Sequence, residues 1–170
     1  MSQNQNTRKK KMIWGLVPFF YNKQKQDAHE HLNYLAQTVN GLKKAGVNKI
    51  IVVDDGSGME LGKLNLDCKL LTHEKNQGKT GAILTGLRFI TTQNSENGYI
   101  VQCDYDADQR SEDAELLLTK LQENISGNLG LVIGDRYKEA QQDPLDYRKV
   151  MLYFQSLVLL KMLLTIFGTV

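Results

Sequence analysis

Ile51-Val52-Val53-Asp54-Asp55-Gly56-Ser57 and, about fifty residues later, Tyr99-Ile100-Val101-Gln102-Cys103-Asp104-Tyr105-Asp106-Ala107-Asp108 are two apolar runs that stop abruptly at carboxylates. A short run that is apolar at nearly every position fits a parallel strand buried on both faces. Its C-terminal end then opens onto the crevice where open α/β sheets take their ligands. Two acidic clusters at that one edge suggest a divalent cation and a ligand whose phosphates need it.

The neighbouring segments alternate in the same sense. Residues 12–17 are apolar up to Pro18, which predicts a first strand ended by the proline. Leu32, Leu35, Val39 and Leu42 recur at helical steps before Gly46, the pattern of an amphipathic helix with a glycine stop. Strands are expected at 49–53, 69–72, 99–103 and 129–133. A helix over 78–91 would turn Ala82, Ile83, Leu87 and Ile90 inward, and another, carrying Leu116, Leu117 and Leu121, would begin near Ser111 with its acidic first turn. Strand and helix in alternation predict an α/β fold: a mostly parallel Rossmann-like sheet with helices on both faces.

At 170 residues the chain fits one domain with a real core, and 41% hydrophobic with 24% charged residues is the composition of an ordinary globule. A formal charge of +2 gives no reason to expect nucleic acid. Arg8-Lys9-Lys10-Lys11 follow a polar opening and read as a solvated tail, with contact to an anionic membrane surface as the alternative. Cys68 and Cys103 lack metal-type spacing and are expected to be buried, reduced thiols of a cytoplasmic protein. No signal peptide is evident, since the apolar run behind the basic start is short and broken by Gly15 and Pro18. His29 and His31 read as surface residues. Residues 150–170 are rich in Leu, Met and Phe around Lys161, which would cost roughly 2.5–3.5 kcal/mol at the centre of a span. A core helix of a larger domain, an interfacial membrane helix and a true span all remain open there. The stop at Gly168-Thr169-Val170 reads as a truncation.

Five pieces carry a family likeness: Val17-Pro18-Phe19-Phe20-Tyr21-Asn22, Ile50 through Ser57, Asn76-Gln77-Gly78-Lys79-Thr80-Gly81-Ala82 through Gly86, Asp104-Tyr105-Asp106, and Val132-Ile133-Gly134-Asp135-Arg136-Tyr137. In order and spacing, over residues 13–137, the chain resembles the family 2 glycosyltransferases of the GT-A fold. Within them it is most similar to the polyprenyl-phosphate (dolichyl-phosphate) sugar transferases. The resemblance implies a flexible basic tail at 1–11 and a nucleotide-sugar-binding domain at 12–146. The apolar helix at 147–170 would begin a truncated acceptor or membrane-proximal region. It implies an inverting, metal-dependent transfer from a UDP- or GDP-linked sugar to a lipid-phosphate or saccharide acceptor. The setting would be cytoplasmic, with the inner membrane face and peripheral membrane contact allowed.

Residue by residue, the likeness makes Pro18, Tyr21, Asn22, Asp55, Gly78, Lys79 and Asp104 donor-binding, with Tyr21 covering a base and Asn22 bonding to it. Asp55 would accept from a ring N–H of the base, Asp54 would orient the turn, and Gly56 would permit it. Gly78 and Lys79 at a helix start would offer backbone N–H groups and an ammonium to a diphosphate. A Walker A loop is not the explanation, because His73 stands where its first glycine is needed. Asp104, Asp106 and Asp108 are the metal candidates for Mg²⁺ or Mn²⁺, with Asp106 and Arg136 catalytic. Asp106-Ala107-Asp108 has the same spacing as Asp104-Tyr105-Asp106, but counting from Tyr99 favours Asp104 and Asp106. Arg148 is a positional candidate for an acceptor phosphate.

Three rivals stand beside this reading. A receiver-type domain would carry its paired acids on the first strand. A sugar nucleotidyltransferase would want a glycine-rich basic loop after the first strand, where this chain has Pro18-Phe19-Phe20-Tyr21. The third is a degenerate transferase domain without activity.

Overall fold

The structure is a computed structural model that describes residues 11–22, 27–93, 98–106 and 111–123. Along the chain run β1 (Met12–Phe19), α1 (Ala28–Lys44), β2 (Lys49–Asp54), β3 (Lys69–Thr72), α2 (Gly78–Thr92), β4 (Gly98–Gln102) and α3 (Ser111–Glu123), with a short 3-10 turn at Leu61–Leu64. The four strands form one sheet in the order β3-β2-β1-β4, and every neighbouring pair is parallel. This is the α/β fold expected from the sequence.

Side-chain parity decides which helix each strand residue meets, because successive residues of a strand point to opposite faces. Ile13, Val17 and Phe19 of β1, Ile50 and Val52 of β2, and Val101 of β4 pack with Leu35, Val39 and Leu42 of α1 and with Ala114 and Leu118 of α3. Trp14 and Leu16 of β1, and Ile51 and Val53 of β2, are equally buried but lie on the opposite face. There α2 covers them, and an added Cβ at Gly86 would sit 2.2 Å from Leu16 Cδ1. The helix therefore rests its backbone on β1 at Gly86, and the inward set is Ala82, Ile83, Gly86 and Ile90. Leu87, expected inward, is only half-buried because Gly86 holds that place. Of the three α3 leucines singled out, Leu116 is exposed, and the buried positions are Ala114 and Leu118.

β1 continues through Pro18 to Phe19 instead of stopping before the proline, with Pro18 in register with Val53. The reason lies in the ladder. Leu16 bonds toward the β4 side, where its carbonyl accepts from Cys103 N, and Phe19 bonds toward β2, where its carbonyl accepts from Asp55 N. Pro18 shares the parity of Leu16, so its missing N–H faces the β4 side beyond the last ladder pair, Leu16 with Gln102. No strand bond is lost. α1 ends as expected: Gly46 has φ +89°, Gly46 N bonds Lys43 O and Val47 N bonds Leu42 O, a Schellman cap.

Because β2 lies on one side of β1 and β4 on the other, the chain reverses direction across the sheet between β1 and β4. The crevice at such a reversal, beyond the carboxyl ends of the strands, is where open α/β sheets bind ligands. The expected fifth strand at 129–133 and the apolar segment at 150–170, together with Asp108, Arg136 and Arg148, lie outside the described residues.

Candidate functional site

The parity that builds the core also builds the site. Asp55 follows β2, His73 follows β3 and Asp104 follows β4, and all three turn to the α2 side of the sheet edge. Asp55 is 2% exposed. Its Oδ1 accepts from His73 Nδ1 at 2.7 Å and from the Gln77 backbone N–H at 2.8 Å. The far side of the His73 ring is held as well, with Nε2 2.8 Å from Thr85 Oγ1 of α2. Asp55 Oδ2 is buried and has no partner among the described residues. A buried carboxylate oxygen left without a donor is costly, and such atoms are few in folded proteins, so Oδ2 is a position where a water, an ion or a ligand donor would be stabilising.

Asp54 has the opposite parity and a different task. Its Oδ1 accepts from Ser57 N at 3.0 Å and closes the turn. Gly56 in that turn has φ +74°, and a Cβ there would lie 2.7 Å from Asn76 N. The glycine is needed both for its backbone and for the close approach of the β3–α2 loop. That approach is what brings Gln77 N onto Asp55.

On α2, Gly78 stands at the helix start with φ +79°, and its N–H donates to Asn76 Oδ1 at 3.0 Å. Lys79 Nζ lies 2.6 Å from Asp104 Oδ1 and 2.7 Å from Oδ2. Two residues expected to meet a ligand separately therefore meet each other. Tyr105 turns to the other face: its hydroxyl is 2.9 Å from His31 Nδ1, its carbonyl accepts from Thr38 Oγ1 at 3.1 Å, and its ring meets Phe19 edge-on at 4.7 Å. His31 is thus no free surface residue, while His29 is exposed and bonds Asn33. Asp106 is half-buried on the bend after Tyr105.

Tyr21, expected to cover a base, is 8% exposed and sits in the α1-side core near His31. Strand parity explains the placement, since Tyr21 shares the face of Phe19. Phe20 is the ring on the α2 side, and it is 38% exposed. Asn22 is half-buried in the loop that follows. Of the remaining candidates, Pro18 is buried in β1 and shapes the strand end. His73, Thr85 and Phe20 were not selected from sequence. A histidine one residue past a strand, matched in parity to an acid past the next strand, is the signal that would have found the first.

Burial pushes the Cys103 thiol up to about 12, with the charges of Asp104 and Asp106 adding to the effect. Cys68 is also raised, chiefly by burial, although it is only half-buried. Neither is a reactive thiolate.

A profile of the family described as Glycosyl transferase family 2 matches residues 18–167. The chain belongs to glycosyl transferase family 2. The match takes in every strand end described above, and the parallel sheet is the fold that such a domain requires. No curated protein matches the chain. A solved structure described as a nucleotidyl transferase from Methanothermobacter thermautotroptrophicus is similar over 64% of this chain, at 14% identity and a TM-score of 0.49. The chain spans 57% of the length of that structure.

Among the described residues, no group of three or more His, Cys, Asp or Glu side chains is gathered as a metal cage. Mg²⁺ does not ask for one, because it is commonly held by one or two carboxylates with water and substrate phosphates. The Lys79 ammonium, nearly equidistant from both Asp104 oxygens, marks a position where a cation is stable. Asp104 and Asp106 offer hard carboxylate oxygens, the donor type that Mg²⁺ and Mn²⁺ take. No described helix is long and apolar enough to cross a membrane.

Proposed function

We propose that this family 2 domain binds a nucleoside diphosphate sugar at the α2 side of its sheet edge and passes the sugar, with inversion, to an acceptor. The observation that supports the reading is the buried Oδ2 of Asp55, without a partner among the described residues, on a side chain held at the carboxyl end of β2 by His73. It would accept from a ring N–H of the base, with the exposed Phe20 ring as the surface on which the base lies. Lys79 and the α2 start would face the diphosphate, and Asp104 with Asp106 would hold Mg²⁺ or Mn²⁺. When bound, that ion supplies charge neutralisation on the departing diphosphate.

The acceptor is proposed to be a polyprenyl phosphate at the cytoplasmic face of a membrane. Its phosphate oxygen attacks the anomeric carbon, a new C–O bond forms, and the old one breaks with its electron pair leaving on the nucleoside diphosphate. A phosphate is already ionised at neutral pH, so this acceptor requires no strong general base. The placement of paired acids on the second strand, with another strand and helix before them, disfavours a receiver-type domain.

The test is a thermal-shift panel of UDP, GDP and their sugar conjugates, with and without Mn²⁺, on the wild type and on Asp55→Asn. Ligand at a hundred times its dissociation constant adds about 2.7 kcal/mol to the folded state. A shift with one nucleotide that is lost in Asp55→Asn supports the base-site reading. A folded protein that answers to no nucleotide refutes it.

A further inference from the structure

The Asp55–His73–Thr85 chain fixes how many acceptor positions Asp55 has left. Each carboxylate oxygen offers about two lone-pair positions. At Oδ1 both are taken, one by His73 Nδ1 at 2.7 Å and one by Gln77 N at 2.8 Å. An ionised carboxylate only accepts, so Nδ1 is the donor whichever protonation state the ring adopts. Thr85 Oγ1 at 2.8 Å from Nε2 prevents the ring from turning away. Only Oδ2 is left without a partner among the described residues, and it is buried in a residue that is 2% exposed.

We propose that His73 is a specificity-determining positioning residue that restricts this site to a base offering a single imide N–H, which is uracil rather than guanine. The inference rests on the reading that Asp55 meets the base. Guanine presents two N–H groups side by side, a pair that suits a carboxylate with both oxygens open. With Oδ1 filled, one of them is left buried without an acceptor. Uracil brings one N–H and needs one oxygen. Cytosine and adenine set an unprotonated ring nitrogen beside their amine, and an ionised carboxylate repels it.

The experiment is calorimetric binding of UDP, GDP and N3-methyl-UDP, with Mn²⁺ present, to the full chain as wild type, His73→Leu, His73→Asn and Thr85→Val. In the wild type, UDP is expected to bind at least about tenfold tighter than GDP, the factor a stranded buried donor costs, and N3-methylation should remove a similar factor. His73→Leu opens Oδ1, and the UDP-to-GDP ratio should collapse to within a fewfold of unity. His73→Asn keeps an N–H near the place of Nδ1 and should preserve the ratio. Thr85→Val untethers the ring and should move the ratio in the direction of His73→Leu; if the leucine variant does not fold, this variant decides.

Equal weakening of both nucleotides in His73→Leu would mean that the residue only supports the fold, and would overturn the proposal. So would a wild type that prefers GDP, while the base-site reading survives if Asp55→Asn abolishes that binding. If N3-methylation changes nothing, or no nucleotide binds, the reading of Asp55 fails and this inference fails with it.

Discussion

Lys79→Met should move metal affinity and nucleotide affinity in opposite directions. In the free protein the Lys79 ammonium lies across both oxygens of Asp104, and the two side chains are 50% and 25% exposed. At that exposure the gross attraction is heavily screened, and a pair of this kind is worth about 0–1 kcal/mol net. Loss of the pair alone should therefore lower the melting temperature by no more than about 2–4 °C, the range for a change of 1 kcal/mol in a chain of this size. The same quantity bounds the competition. A metal ion that binds Asp104 must displace the ammonium, so removing it should strengthen Mn²⁺ binding without nucleotide by up to about fivefold. With nucleotide present the sign reverses. The displaced ammonium is proposed to pass to the diphosphate, where a charged hydrogen bond is worth about 1.5–3 kcal/mol, so UDP binding at saturating Mn²⁺ should weaken about 10- to 150-fold. Free Mn²⁺ is read by its paramagnetic resonance signal and UDP by calorimetry, with Asp104→Asn as the control that lowers both. If Mn²⁺ binds Lys79→Met more weakly than wild type, the ammonium does not occupy the cation position, and the exchange is refuted.

Gly86→Ala should destabilise the fold by about 1–2 kcal/mol net: the new Cβ falls 2.2 Å from the Cδ1 of a fully buried Leu16, and the overpacking exceeds the helix-propensity gain. A urea melt measures it, and unchanged or increased stability would contradict the packing. Cys103, with its thiol pushed up to about 12, should resist iodoacetamide in the folded protein at pH 8 and react once it unfolds. The unfolded thiol loses its proton from about pH 9 while the folded one keeps it, so its share of stability falls as pH rises between about 9 and 12, by roughly 1.4 kcal/mol per unit. Cys103→Ala should flatten that part of the profile. Tyr105→Phe removes the bond to His31 but keeps the ring on Phe19, and a loss of about 0.5–1.5 kcal/mol is expected in the same melts. Tyr105→Ala should cost more and weaken Mn²⁺ binding as well.

The strands and helices were legible because each reports its own burial locally. Ile51-Val52-Val53 reads as a strand covered on both faces, and Gly46 after a basic last turn reads as a stop. What escaped was information that belongs to pairs of segments. Pro18 looks like a terminator until it is known which neighbour its N–H would have faced. Tyr21 looks like the aromatic of the loop until the parity of Phe19 carries it into the core and leaves Phe20 outside. His73 looked like a failed glycine because its meaning depends on Asp55, eighteen residues earlier, being brought beside it by the β2–β3 pairing of Asp54 with Thr72.

The same parity bears on the spacing of the acids after β4. Val101 and Cys103 belong to the α1-side core and Tyr105 packs against it, so alternation continues past the last ladder pair and sends Asp104 to the α2 side. Tyr105 is secured there three times, by the His31 ring, the Thr38 hydroxyl and the Phe19 ring. An acid presented to the crevice from a mobile turn would spend ordering entropy each time it held a ligand. Here the residue between the two acids is already ordered by folding, through its contacts on the α1 side of the sheet. Asp104-Tyr105-Asp106 is therefore more than a spacing of charges: the middle residue is the anchor. Were Asp106 and Asp108 the pair instead, the residue between them would be Ala107, a side chain too small to make three such contacts.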